Sequence, residues 1–249
     1  MQTIEFVGLD SDVATFDPPS KLFPKLERLH LYKWGETDDP SSTVGPGVAM
    51  LESVLRTPVF NLTELRLNDF TLRDPRSYKS LLEAIDFCRL ETLFLVRCTR
   101  VAALVRGIKD QFSKGKPSLQ YLEISIDAND DDVRAIGDLL LCFTGLETLL
   151  LGVIEKSDSC AIMLDSASVI HHKDTLRNLG IEQGAEAAAA GVKYPVDTVT
   201  AIYDACPHLE QLGLRALDLQ VEPDQFLTFN KQYLVSDNLA LCSVAHERP

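Results

Sequence analysis

Residues 90–98 read LETLFLVRC, with leucine at the first, fourth and sixth positions. The same spacing recurs along the chain, with Leu or Ile at the sixth position, so that there are seven copies of one motif in all. Their first leucines are Leu26, Leu62, Leu90, Leu119, Leu146, Leu176 and Leu209. These leucines follow one another at intervals of 27 to 36 residues. Such a period is typical of repeat architectures, in which every unit is one supersecondary element.

The hydrophobic pattern changes within each unit from a strand-like to a helix-like spacing. Alternation inside the motif predicts a β-strand, whereas apolar residues three and four positions apart predict a helix. Asp74-Pro75 is typical of a helix start, with proline at the first helical position, and Pro195 opens a later helix in the same way. The apolar residues of the four predicted helices are Tyr78, Leu81, Leu82 and Ile85; Val101, Leu104, Val105, Ile108 and Phe112; Val133, Ile136, Leu139, Leu140 and Phe143; and Val199, Ile202 and Ala205.

A chain of such units predicts an α/β fold with parallel strands on one side and helices on the other. Neighbouring strands lie ~4.8 Å apart whereas helix axes need ~8–10 Å, so we expect the stack to bend into a curved, horseshoe-shaped solenoid. The strands would line its concave side and the helices its convex side. We assign residues 1–24 to an N-terminal cap or partial repeat with a strand at 4–7, residues 25–217 to seven repeats, and residues 218–249 to a C-terminal cap and tail.

The composition is that of an ordinary globular protein, but the charge is strongly negative. Hydrophobic residues make up 45% of the chain, and the formal net charge is -13. A net negative surface is repelled by phosphate groups, so we expect neither nucleic acid nor an anionic membrane as a partner. A basic partner fits this charge, and so does a simple requirement for solubility.

Six cysteines are spread along the chain without a C-x-x-C pair, so neither a zinc site nor a disulfide framework is predicted. Cys88, Cys142 and Cys206 precede motifs and suit small buried thiols in a reducing compartment. The N-terminal residues do not resemble a signal peptide, and no apolar run approaches the ~20 residues of a membrane-spanning helix. These features predict an intracellular protein, cytoplasmic or nuclear, without a cofactor.

The sequence contains only weak signals for catalysis or metal binding. Adjacent His171 and His172 would point about 100° apart on a helix, so we interpret them as solvent-facing rather than as joint metal ligands. Residues 130–132 are three aspartates. They lack the spaced ligands and glycine of a calcium loop, and helix N-capping accounts for them. The chain is therefore predicted not to be an enzyme.

Two segments resemble leucine-rich-repeat proteins, and more narrowly the F-box type common in fungi. Residues 206–212 read CPHLEQL, and residues 93–101 read LFLVRCTRV with the family's cysteine at Cys98. The resemblance covers residues 22–217. The position that usually holds Asn or Cys carries Phe70 in the second copy, so the solenoid is predicted to be irregular.

In the family that the sequence resembles, the repeats bind a substrate protein, and a separate N-terminal F-box docks onto a cullin ubiquitin ligase. Only 25 residues precede Leu26, too few for that helical domain. A cullin-ligase adaptor is therefore an expected partner only if an F-box is missing from this chain.

The concave face is the predicted binding surface, because its side chains alternate with the buried anchors. The residues selected as partner-binding are Tyr32, Arg66, Phe94, Val96, Tyr121, Glu123 and Leu150. Phe94, Val96, Tyr121 and Leu150 are predicted to form a contiguous apolar patch, which either contacts a partner or packs within this chain.

Glutamates follow the first leucine in four motifs, at Glu27, Glu91, Glu147 and Glu210. They suit either a solvated stripe or a seat for a basic ligand. The function predicted from all these features is a protein-protein interaction module, with substrate recognition in an F-box-like ubiquitin ligase as one setting. The alternative is a regulatory repeat protein of the GTPase-activating type.

Overall fold

The computed structural model describes residues 3–7, 26–32, 61–72, 75–126, 130–153, 165–183 and 196–215. These residues form one sheet of eight strands in which every neighbouring pair is parallel. The strands are β1 Thr3–Val7, β2 Arg28–Tyr32, β3 Glu64–Asn68, β4 Thr92–Val96, β5 Tyr121–Ile126, β6 Thr148–Val153, β7 Asn178–Gln183 and β8 Gln211–Arg215. Their spatial order is their order in the sequence. The predicted α/β class with parallel strands and helices is therefore confirmed.

Strand positions follow the motif closely. The fourth and sixth motif positions are the second and fourth residues of each strand from β2 to β8, and β1 covers the strand predicted at residues 4–7. The register brings equivalent motif positions side by side, for instance Leu93 beside Leu122 and Leu95 beside Ile124. The predicted C-terminal cap over residues 218–249 lies outside the described residues.

Five α-helices among the described residues follow strands and supply the other half of the core. They are α1 Pro75–Ala84, α2 Ala102–Phe112, α3 Asp130–Leu140, α4 Ser166–Ile170 and α5 Val196–Ala205, and each packs against the next. Helix α1 begins at Pro75, as predicted. Because α2 buries Leu104, Val105 and Ile108 in the same core as the strand leucines, the helices cover one face of the sheet.

Three rows of motif side chains fill the space between the sheet and the helices. The rows continue from one unit to the next because the register does not slip. Leu65, Leu93 and Leu122 represent the fourth motif position, and all three are at most 1% exposed. Each unit therefore completes the core of its neighbours, which is why repeats of this kind are stable only as a stack.

A regular set of backbone hydrogen bonds joins the units just before the strands. The carbonyl oxygen of Glu27 accepts hydrogen bonds from the N–H groups of residues 63 and 64 at 2.8 and 3.1 Å. The same double acceptance repeats in the following units. The other accepting carbonyls belong to Thr63, Glu91, Gln120, Glu147 and Arg177. This ladder fixes the start of each strand against the strand before it.

One aspartate caps the helix of the preceding unit. The Asp132 side chain is buried and accepts a hydrogen bond from the Ala102 backbone N–H at 2.6 Å, at the first residue of α2. The residue before the helix, Val101, has no side-chain oxygen to do this. Asp131 lies outside the core and forms an ion pair with Arg106 of α2. Two of the three aspartates therefore connect α3 to α2, a role beyond the N-capping of their own helix that the sequence predicts.

The cysteines differ in burial. Cys98 and Cys206 are buried, whereas Cys88 and Cys142 are half-buried, so the predicted burial holds for Cys206 alone among the three that precede motifs. The Cys98 thiol donates to the Leu67 carbonyl at 3.4 Å. Burial, more than the nearby Asp69 charge, raises the pKa of Cys98 to about 12, against a hydrogen bond from the Phe70 backbone. Cys98 is therefore a protonated thiol that ties the end of β4 to β3.

Replacing one central anchor tests the shared core. Leu122 is fully buried in the middle of the stack. We expect Leu122→Ala to lower the free energy of unfolding by about 2–5 kcal/mol, since its neighbours cannot close the cavity completely. Chemical denaturation measures the change.

The matched control is Leu141→Ala, because Leu141 is exposed. A substitution at the surface is expected to cost less than about 0.5 kcal/mol. Equal losses in the two variants would contradict the packing described above.

Removing the cap between units tests the connection of α3 to α2. In Asp132→Ala the Ala102 N–H loses its acceptor in a buried setting. We expect this loss to lower the free energy of unfolding by about 1–2 kcal/mol, the usual cost of a deleted cap.

The control for the cap is Asp131→Ala, which removes the ion pair with Arg106 at the surface. Exposed ion pairs contribute little, so this change is expected to cost less than about 0.5 kcal/mol. Amide hydrogen exchange at Ala102 provides a local readout, and unchanged protection there in Asp132→Ala would argue against the cap.

Candidate functional site

The face of the sheet opposite the helices, called the open face below, presents every second side chain of the strands. Its central row runs through the third residue of each strand, and the register places these residues side by side. From β2 to β8 the row consists of His30, Arg66, Phe94, Glu123, Leu150, Gly180 and Gly213. It therefore passes from charged and aromatic residues on β2 to β5 to bare backbone on β7 and β8.

An aromatic cluster occupies the middle of this row. The Arg66 guanidinium carbon lies 3.8 Å from the centroid of the Phe94 ring, and the Phe94 and Tyr121 rings lie 5.0 Å apart at an angle of 45°. The Tyr121 hydroxyl donates to Glu123 Oε2 at 3.1 Å. Phe94 is only 9% exposed, yet it lies outside the main core. The four side chains hold one another in place on the open face.

The environment of Tyr121 keeps its hydroxyl protonated. Burial, the Glu123 charge and the hydrogen bond to Glu123 raise the pKa of Tyr121 to about 12, and the Arg66 charge opposes them. A protonated hydroxyl can donate to the carboxylate throughout the physiological range. Tyr121 therefore orients Glu123 rather than acting as a base.

A second cluster lies on the neighbouring strands β2 and β3. The Glu64 carboxylate accepts a hydrogen bond from His30 Nε2 at 2.6 Å and pairs with Arg28 Nε at 3.2 Å. All three residues occupy open-face positions, but the sequence did not single them out. Their residue types at motif positions of neighbouring units were the available signal, since the register pairs Arg28 with Glu64 and places His30 diagonally from it.

The remaining predicted site residues lie on the same face, where a charged residue interrupts the central row. In the register, Glu123 stands between Phe94 and Leu150, so a charged residue separates these two apolar side chains in the central row. Leu150 instead extends toward β7, where a Cβ atom added to Gly180 would meet Leu150 Cδ2 at 2.6 Å. Phe94 and Tyr121 are in contact with each other, whereas the contiguous apolar patch that also includes Val96 and Leu150 stays a prediction.

Two predicted residues mark the carboxyl end of the open face. Tyr32 and Val96 are half-buried and flank the buried Asn68 in the register of β2, β3 and β4. They lie two residues along their strands from the central row. The structure therefore places all seven predicted residues on one face but brings only four into a linked cluster. These four are Arg66, Phe94, Tyr121 and Glu123.

The predicted glutamate stripe is present but interrupted. Glu91, Glu147 and Glu210 are exposed and lie at equivalent positions. The backbone N–H of each donates a hydrogen bond to a carbonyl oxygen of the preceding unit. In the intervening units this position holds Gln120 and Arg177, and Arg177 pairs with Glu210 at 2.5 Å. An unbroken acidic seat for a basic ligand is not formed along this edge.

The two adjacent histidines have different environments. His171 is exposed, but His172 is only 1% exposed and its ring lies 4.8 Å from that of Phe143. The prediction that both face solvent is wrong for His172, because the turn after α4 directs this side chain into the core. Both of its ring nitrogens are buried without a hydrogen-bond partner.

Burial governs the protonation of this residue. Loss of solvent, followed by the charge of His171, lowers the pKa of His172 to about 4, and the nearby Leu140 backbone opposes this shift without reaching hydrogen-bonding geometry. His172 is therefore neutral at physiological pH. It belongs to the core and not to a metal site.

The described ranges contain no group of three or more His, Cys, Asp or Glu side chains placed to hold a metal ion. Within the same part of the chain, no helix is long and apolar enough to cross a membrane. Comparison of the chain with models of protein families, with curated protein sequences and with solved structures found no match.

Acidification should destabilise the protein through His172. Its folded pKa lies below the unfolded value of about 6.5, so its contribution to stability is complete above pH 6.5 and is lost as the pH falls toward 4. Between pH 7.5 and 5 we expect a loss of about 2 kcal/mol from this residue. His172→Phe keeps an aromatic ring beside Phe143 and cannot be protonated. Unfolding curves at the two pH values measure the difference, and an equal pH dependence in both proteins would refute this role.

Proposed function

We propose that the chain is a leucine-rich-repeat solenoid that binds a partner protein through its open face. The support for the repeat assignment is the combination of seven motifs with one strand each, an unbroken parallel register and helices on one side only. A bend that makes the open face concave is part of this proposal, since strands need less space than helices.

The observation that carries the binding role is the cluster of Arg66, Phe94, Tyr121 and Glu123. Arginine and tyrosine are enriched among the residues that dominate binding energy at protein interfaces, where they act from well-packed surroundings. Here the Arg66 side chain is held on the Phe94 ring, and Tyr121 orients the Glu123 carboxylate. A surface held in this way loses little side-chain entropy when it binds.

The adjoining half of the open face differs in shape. Gly180 and Gly213 face each other in the register of β7 and β8, and a Cβ atom added to Gly213 would have no neighbour closer than 3.8 Å. A partner can therefore approach the backbone at Gly213, whereas the half-buried Leu150 covers Gly180. The proposed interface combines the cluster of Arg66, Phe94, Tyr121 and Glu123 with the region around Gly213, where no side chain projects. A setting in an F-box-like ubiquitin ligase remains a prediction from the sequence.

Adding a side chain at Gly213 tests the proposed function. In Gly213→Gln the added side chain projects from the proposed interface, where there is space for it. We expect this change to reduce the capture of partner proteins at least about tenfold, which corresponds to about 1.4 kcal/mol of binding free energy. Ala201→Gln is the matched control, since it adds the same uncharged side chain at an exposed position of α5. Quantitative mass spectrometry of proteins retained by the two variants and the wild type measures the effect.

The comparison applies only if Gly213→Gln and Ala201→Gln unfold at the same temperature as the wild type. A set of partners retained equally by the wild type, Gly213→Gln and a second open-face variant, Tyr121→Ser, would refute binding through this face. Cullin adaptors among the proteins retained would support the F-box-like setting.

A further inference from the structure

Arg28 and Arg66 are the arginines of the open face whose side chains are described, and they differ in their interactions. Arg28 pairs with Glu64, whereas Arg66 has neither an ion pair nor a hydrogen bond among the described residues. Glu123, which follows Phe94 in the central row, already accepts a hydrogen bond from Tyr121. The positive charge at Arg66 thus has no counter-charge in contact with it among these residues, within a chain of net charge -13.

The position of the guanidinium is costly without an additional ligand. Its Nε atom is buried and has no hydrogen-bond partner. A buried charged donor left without an acceptor is destabilising, because it has lost its hydrogen bonds to water and gained none in exchange. Among the described residues, the buried side-chain nitrogens or oxygens without a partner belong to Arg66 and His172 alone. Of these two, only Arg66 lies on the open face.

Contact with Phe94 orients the group for recognition. A guanidinium that lies over an aromatic face keeps the N–H donors of its edges directed away from the ring, and two parallel donors match the two oxygens of a carboxylate. The ring thus supports the cation from one side and leaves the edges for a ligand. Lysine has the charge but lacks this planar pair of donors.

We propose that Arg66 binds a carboxylate of a partner protein. An Asp or Glu side chain supplies this carboxylate, in a segment that lies across the open face. The inference rests on the proposed function and names the chemistry of its central contact. Charge complementarity selects the carboxylate, and the guanidinium held on the Phe94 ring supplies the N–H donors that bind it. An acidic segment as a whole is disfavoured by the net charge of -13.

Glu123 defines the second feature of the segment. It lies two strands from Arg66 in the same row. The usual spacing of strands puts the two residues about 10 Å apart, and an extended segment covers that distance in about three residues. Tyr121 occupies the Oε2 atom of Glu123, and among the described residues its Oε1 atom has no hydrogen-bond partner. The partner segment should therefore carry an Asp or Glu and, about three residues away, a Lys, Arg or other donor.

Selection from a displayed library of random linear peptides on the intact protein tests this inference. Peptides that bind the open face are identified by the loss of binding to Thr92→Gln, which adds an uncharged side chain on β4 close to Phe94. We expect these peptides to share an Asp or Glu. Replacing that residue by Asn or Gln in a synthetic peptide should weaken binding to the wild type at least about tenfold.

Arg66→Lys should weaken binding by a similar factor, and the two changes together should weaken it little further, because both remove the same contact. Arg97→Lys is the matched control, since Arg97 is exposed and pairs with Asp69. It should leave affinity within about twofold, because exposed ion pairs contribute little. The peptide substitution probes the unaltered protein, so the test does not depend on the folding of a variant.

Three results would overturn the inference in distinguishable ways. One result is a set of peptides that lose binding to Thr92→Gln, share no carboxylate and tolerate Arg66→Lys. It would disprove the carboxylate site at Arg66 and leave the proposal of binding through the open face intact. Peptides that tolerate Thr92→Gln but lose binding to Gly213→Gln would likewise disprove the carboxylate site alone, whereas peptides that tolerate both changes would place binding elsewhere on the protein and overturn the proposed function as well.

Discussion

The burial of leucine and isoleucine side chains on one face of a parallel sheet is the constraint on which the rest of the structure depends. Side chains of a strand alternate between two faces, so a shift of one residue in register would move every anchor to the opposite face. The observed register keeps Leu65, Leu93 and Leu122 in one buried row. The helices must then cover that face, because it is where the apolar surface lies.

The same constraint creates the open face. Once the anchors are assigned to the core, the residues between them are committed to the opposite side, and the register turns residues of separate units into neighbours. Arg66, Phe94 and Glu123 belong to three different units of the sequence, yet they are adjacent in one row. Recognition by such a surface depends on the order of the units as much as on the residues that each unit contains.

Contacts between the units also depend on polar groups. The repeated acceptance of two N–H groups by one carbonyl satisfies backbone donors at the start of each strand, where the strand ladder has not yet begun. Asp132 does the same for the start of α2 from the following helix. Leucine burial supplies the driving force for stacking, and these bonds fix how far each unit is displaced along its neighbour.

The sequence by itself determined the strands, the main helices and the face to which each motif side chain belongs, because periods of 2 and 3.6 residues are local properties of the chain. Only the tertiary structure decided that His172 turns inward beside Phe143 and that Asp132 caps another unit's helix. Each of these outcomes depends on which residues of different units become neighbours, and on which side chains reach them. Periodicity assigns a side chain to a face, whereas packing between units selects its partner.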